Sequence, residues 1–199
     1  MRRAALKDER GFTLVEMLVT IVMMLVVMSA LYGLFDMGMR VYTLGNDKVN
    51  AVENARIALD KMSREIRAAY PADKASGDDS LLLSAGQDHI TFGNDINGDR
   101  RLTCSDPGEY ITYRLSGTTL LRSTNCDGSG AHAVAEHIKT LAFHYYAADG
   151  SLLDPTAPGF ANEVAVVQVT LVAEVDHGSL GTSTQTLTTD VTLQNGPGQ

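Results

Sequence analysis

Nineteen consecutive residues, Met17–Phe35 (MLVTIVMMLVVMSALYGLF), carry no charge. Nothing else in the chain limits its fold as tightly, because about 20 apolar residues are what a helix needs to cross the ~30 Å hydrocarbon layer of a membrane. Ahead of this run Arg2, Arg3, Lys7 and Arg10 outnumber Asp8 and Glu9. Positive charge resists translocation, so the N-terminus is expected to stay in the cytoplasm and the remainder to be exported. A secretory signal would place a small-residue cleavage site behind the apolar run. Met28-Ser29-Ala30 is a poor version of one. The better site lies upstream, where the charged segment gives way to the apolar one.

That junction reads Gly11-Phe12-Thr13-Leu14-Val15-Glu16-Met17-Leu18-Val19. Gly11 has no side chain, so a protease can approach the backbone and the chain can bend there. Glu16 is an acid at the lip of a membrane span, a placement that is costly and usually tied to a function or a partner. The alternative is a wet, unpaired position at the headgroup level, since few residues separate Glu16 from Arg10. The ordered set resembles the type IV prepilin signal: a short basic leader, Gly, Phe, Thr-Leu, a Glu four residues after the Phe, then a continuous apolar helix. The resemblance implies cleavage between Gly11 and Phe12 by the prepilin peptidase, N-methylation of Phe12 and retention of the apolar helix. It also implies that Glu16 of one subunit meets the new amino terminus of Phe12 on its neighbour, within an apolar filament core.

No proline occurs between Gly11 and Pro71, so one helix is expected to continue past the membrane to about Tyr70. Val52, Ala55, Leu59, Met62, Ile66 and Ala69 recur at helical spacing and make one apolar stripe, expected to pack on the protein's own sheet. Arg56, Asp60, Lys61, Arg64, Glu65 and Arg67 take the other faces. Gly33, Gly38 and Gly45 weaken the middle of the helix. Either they loosen it, as in filament pilins, or they thin it for close helix contact.

After Pro71 the pattern alternates with period two. Strands are predicted over Leu81–Ser84, His89–Phe92, Tyr110–Leu115, Thr119–Ser123, Ile138–Tyr146, Val164–Val175 and Thr184–Gln194. Gly117-Thr118 makes a hairpin of Tyr110–Ser123. A long helix followed by antiparallel strands is an α+β layout. The expected organisation is a leader over 1–11, a transmembrane helix over 12–35, its amphipathic continuation over 36–70 and an exported antiparallel β domain over 71–199, with a loose tail at Gly196-Pro197-Gly198.

Three segments of this region resemble the PilW group of minor pilins and the J-type pseudopilins of type II secretion. They are Arg56–Arg67, the strand Tyr110–Leu115 with Leu121-Arg122 after the turn, and the closing Thr189–Asn195, in which Gln194 stands where an Arg is more usual. The resemblance implies a filament subunit that primes assembly at the tip. Its partners would be other pilin or pseudopilin subunits, the inner-membrane assembly platform and the membrane. A membrane-anchored exported binding or sensor module is the alternative.

The net charge of −8 argues against nonspecific nucleic-acid binding by the bulk field, and no direct nucleic-acid site is evident. Cys104 and Cys126 are expected to form one disulfide in an oxidising space. Asp95, Asn97 and Asp99 alternate as in a calcium loop; continuing the count puts Arg101 at position seven, Thr103 at nine and Asp106 at twelve. Two departures weaken that reading: Arg100 replaces the usual Gly, and Asp106 is shorter than the usual Glu. A polar Asn-Gly turn without metal is the alternative. His89, His132, His137, His144 and His177 show no HExxH or similar ligand spacing, Ser179 lacks the first Gly of a nucleophile elbow, and no GxxxxGK[ST] is present. The chain is not expected to be an enzyme.

Overall fold

The computed structural model describes residues 11–73, 80–176, 178 and 181–196. The leader with Arg2, Arg3, Lys7 and Arg10, His177, Ser179 and the Pro197-Gly198 end lie outside the described residues. The chain divides into two units, Met1–Gly45 and Asn46–Gln199, with helix α1 (Leu14–Arg67) contributing to both.

In the first unit α1 is apolar and exposed on every side, and the helix is long and apolar enough to cross a membrane. Its hydroxyls are turned inward on the helix itself: Thr20 Oγ1 donates to the Met17 carbonyl and Ser29 Oγ to that of Val26, both at 2.8 Å. Lipid offers no hydrogen bonds, so such self-satisfaction is what a spanning segment requires. Charge returns only after the apolar run, as an Asp36–Arg40 pair at 2.9 Å. The helix runs through Gly33, Gly38 and Gly45 without a break in the single chain.

The second unit begins inside α1, where one face of the helix becomes buried. Ala51, Ala55, Ala58, Leu59, Met62 and Ile66 are inaccessible, close to the stripe read from the sequence, with Val52 half-buried.

Nine strands follow: β1 (Leu82–Ala85), β2 (His89–Gly93), β3 (Tyr110–Ser116), β4 (Thr119–Ser123), β5 (His132–Ala135), β6 (Ile138–Tyr146), β7 (Leu152–Leu153), β8 (Val166–Asp176) and β9 (Thr182–Thr192). They form two antiparallel sheets, β1-β2-β3-β4-β5 and β7-β6-β8-β9, where the sequence suggested a single β layer. One apolar core joins the helix stripe to the inner faces of both, through Phe92, Ile111 and Tyr113 of the first and Leu141, Phe143, Val169 and Leu171 of the second. Strand β6 shows the predicted alternation, with Leu141, Phe143 and Tyr145 inside. The Gly117-Thr118 hairpin is present, and Gly117 takes φ 60°, which its turn position requires. Strands β5 and β7 and the short helix α2 (Phe160–Glu163) were not predicted; four residues or fewer give too little periodicity to read.

Helix α1 ends at Arg67, three residues before the predicted stop, because the sheets take over its last polar groups. Tyr70 N donates to the Gly93 carbonyl of β2 (2.8 Å) rather than back into the helix. Strand β9 likewise stops at Thr192, short of the predicted Gln194. From there the chain turns to close the helix terminus: Gln194 N donates to the Arg67 carbonyl (3.1 Å), and Asn195 Nδ2 to the Ala69 carbonyl (2.8 Å). Carbonyls at a helix C-terminus have no partner within the helix and need one from outside.

Candidate functional site

The start of α1 is built by Thr13. Its Oγ1 accepts the Glu16 backbone N–H at 3.2 Å, so Thr13 caps the helix and Glu16 occupies its first turn. Thr13-Leu14-Val15-Glu16 is thus half of a capping box, a local pattern that the sequence reading left unused. An acid in the first turn is also favoured by the positive end of the helix dipole. Gly11 and Phe12 precede the helix outside any regular element, and Phe12 is 75% exposed. A non-helical, exposed peptide bond next to a capped helix is accessible to a protease. With Gly11 removed, Phe12 would carry an amino group four residues from the Glu16 carboxylate.

A prokaryotic N-terminal methylation motif matches residues 6–32, spanning this junction and most of the apolar run. The chain is type IV pilin-like. The motif marks a precursor for prepilin-peptidase processing and for assembly with other pilin subunits, and it agrees with a single-pass inner-membrane anchor. No curated protein matches the chain.

In the second unit of this pilin-like protein, two polar features hold the loops. The first is a bridge between α1 and the first sheet. Glu65 Oε2 accepts hydrogen bonds from Tyr113 Oη (2.7 Å) and Arg122 Nε (2.9 Å). Sequence reasoning put Glu65 on the solvated side of the helix; the structure turns it inward, with 20% of its side chain exposed and 14% of that of Arg122. Burial, then the neighbouring Glu65 carboxylate, pushes the Tyr113 phenol well above its ordinary range. Burial does the same to Tyr145, whose hydroxyl donates to the Gly86 carbonyl.

The second feature is the segment between β2 and β3. Cys104 and Cys126 form the expected disulfide, with Cα atoms 5.3 Å apart, joining this loop to the chain beyond β4. Leu102 plugs into the core beside Gly93, where a Cβ would lie 2.2 Å from Leu102 Cδ1. The candidate calcium residues form a chain of turns. Asp95 accepts the N–H groups of Gly98 (2.7 Å) and Arg100 (3.0 Å); Asn97 Oδ1 accepts that of Asp99, and Asp99 that of Arg101 (both 2.8 Å). Arg101 turns away to pair with Asp73 at 3.2 Å. Asn97 Nδ2 and Thr103 Oγ1 both donate to Asp106 Oδ2, at 3.1 and 2.7 Å. The structure therefore groups Asn97, Thr103 and Asp106 and leaves Asp95 and Asp99 shaping the turn. Among the described residues, no three His, Cys, Asp or Glu side chains converge as a metal cluster. The count along the sequence passed over Glu109, which is buried beside Thr103.

The histidines remain dispersed among the described strands and turns. His89 lies between Asp88 Oδ1 (2.9 Å from Nδ1) and Ser84 Oγ (3.4 Å from Nε2), and its hydrogen bond holds the Asp88 carboxyl below the usual range. The Asp88 side chain is 82% exposed, so water screens that pair. The trio sits on the β1–β2 turn, where Gly86 makes room for the imidazole ring.

Proposed function

We propose that this chain is a minor pilin or pseudopilin subunit of a type IV pilus or type II secretion filament. It is processed after Gly11, methylated at Phe12 and placed at the tip, where it primes assembly. Its role is structural, and the exported domain over residues 71–199 faces the periplasm or the cell exterior. The reading is carried by one observation: a methylation motif spanning the lip of an apolar helix that is exposed all round. A helix of that kind needs either lipid or other such helices to cover it.

Within this reading Glu16 offers its carboxylate to the methylated amine of Phe12 on an adjoining subunit. An ion pair in apolar surroundings is costly to break by halves, about 3–5 kcal/mol when one partner is removed. Register between neighbouring helices would thus be set by one contact. The resemblance of Arg56–Arg67, Tyr110–Leu115 and Thr189–Asn195 to minor pilins and J-type pseudopilins supports the tip position.

Mass spectrometry of the chain taken from its native membrane tests the processing. The expected N-terminal residue is N-methylphenylalanine at position 12. A stable product that begins at Met1, or near Leu31, sinks the subunit reading and leaves an anchored binding module. Immunogold labelling of sheared filaments tests the placement: label at the ends supports the tip, and label along the whole length refutes it.

A further inference from the structure

We propose that the loop from Asp95 to Glu109 is a calcium site closed by the Glu109 and Asp106 carboxylates. The inference does not rest on the filament reading. It starts from an unsatisfied group. Glu109 is 1% exposed; its Oε2 accepts the Thr103 N–H at 3.2 Å, while Oε1 is buried without a hydrogen-bond partner. A buried carboxylate oxygen left unpaired is strongly unfavourable and calls for a cation or a proton.

The surroundings of Glu109 are those of an oxygen-rich loop. Thr103, whose amide holds Glu109, donates its hydroxyl to Asp106, and Asp106 also receives Asn97. Glu109, Thr103, Asp106 and Asn97 are therefore one connected set. The nearby guanidinium of Arg101 is engaged with Asp73. Calcium is the ion this set fits, because it takes six to eight oxygens from carboxylates, amides, hydroxyls, carbonyls and water in flexible geometry. Magnesium demands a stricter octahedron. Two carboxylates completed by neutral oxygens do not require three acids at one point. A carboxylate oxygen that already accepts one N–H keeps a lone pair for a metal.

Two further features suit the loop to an ion. Arg100, at the sixth position, adopts φ 69°, the left-handed turn for which such loops use glycine. The Cys104–Cys126 disulfide ties the middle of the loop down, which lowers the entropy lost on binding. With only two charges the site belongs among the weak sites of exported modules, with Kd roughly 10⁻⁴–10⁻³ M.

The test is calorimetric titration of the full chain in non-ionic detergent, stripped with chelator, with CaCl₂ as the probe and MgCl₂ as the comparison. The expected result is one saturable calcium site, weaker binding of magnesium, and affinity reduced roughly tenfold or more in Glu109→Gln and in Asp106→Asn. Should Glu109→Gln fail to fold, Asp106→Asn decides, because that side chain is part-exposed. Absence of saturable calcium uptake by the unaltered chain overturns the proposal, as does undiminished affinity in the variants. A Glu109→Gln chain that melts higher than the original in saturating calcium also overturns it, since loss of a ligand must lower the melting temperature of the calcium-loaded chain.

Discussion

Replacing Glu65 by alanine removes the acceptor that two side chains from distant strands share. Arg122 loses its carboxylate at 2.9 Å and the buried Tyr113 hydroxyl loses its acceptor at 2.7 Å. Breaking a buried pair from one side costs about 3–5 kcal/mol. Because the Glu65 and Arg122 side chains keep 20% and 14% exposure, water reaches the stranded guanidinium and the lower end applies. The stranded phenol adds about 1 kcal/mol, for a total of about 3–4 kcal/mol. Tyr113→Phe leaves the ion pair intact and removes only a hydrogen bond to a charged group, about 1.5–2 kcal/mol. In the double variant the phenol penalty disappears from the alanine background, so the two single losses should sum to about 2.5–3 kcal/mol more than the double loss. Urea unfolding of the full chain in mild detergent, followed by circular dichroism, measures all four species. Additivity within about 0.5 kcal/mol would refute the shared-acceptor argument.

Alkaline pH should act through the same tyrosine. Tyr113 and Tyr145 have folded pKa values raised above the unfolded value of about 10, so their contribution is complete below pH 10 and is lost as pH rises further. Each should steepen the loss by up to about 1.4 kcal/mol per pH unit, and Tyr113→Phe should flatten the stability profile above pH 10. Arg100→Gly should relieve the left-handed residue at φ 69° and raise stability by roughly 0.5–1 kcal/mol, read as a higher melting temperature. Reducing the 22-residue Cys104–Cys126 link, or replacing both cysteines by serine, should cost about 3 kcal/mol in urea unfolding. Gly11→Trp should leave uncleaved precursor in the membrane, and a normal mature band on immunoblot would count against the assigned cleavage site.

The sequence was most legible where a pattern repeats along many residues. The uncharged run of Met17–Phe35 announced the anchor, the spacing of Ala55, Leu59, Met62 and Ile66 announced the buried face of α1, and alternation announced β6. What escaped was decided by partners distant in sequence. Glu65 looks like any solvated helix charge until β3 and β4 bring Tyr113 and Arg122 to it from 48 and 57 residues away. Glu109 escaped because counting from Asp95 stopped at twelve residues, while the fold carries the chain further before returning a carboxylate to Thr103. The split into two sheets escaped because β5, four residues long, offers no periodicity against which the change of sheet at Ala135–Ile138 could be read.

The closure of α1 by Gln194 and Asn195 sets an order of events during biogenesis. These residues are synthesised more than a hundred positions after the carbonyls they satisfy, so the ribosome delivers the anchor to the bilayer long before the lid of the helix exists. Insertion comes first and completion of the domain last. In the interval the Arg67–Ala69 end must be covered by water or by a chaperone.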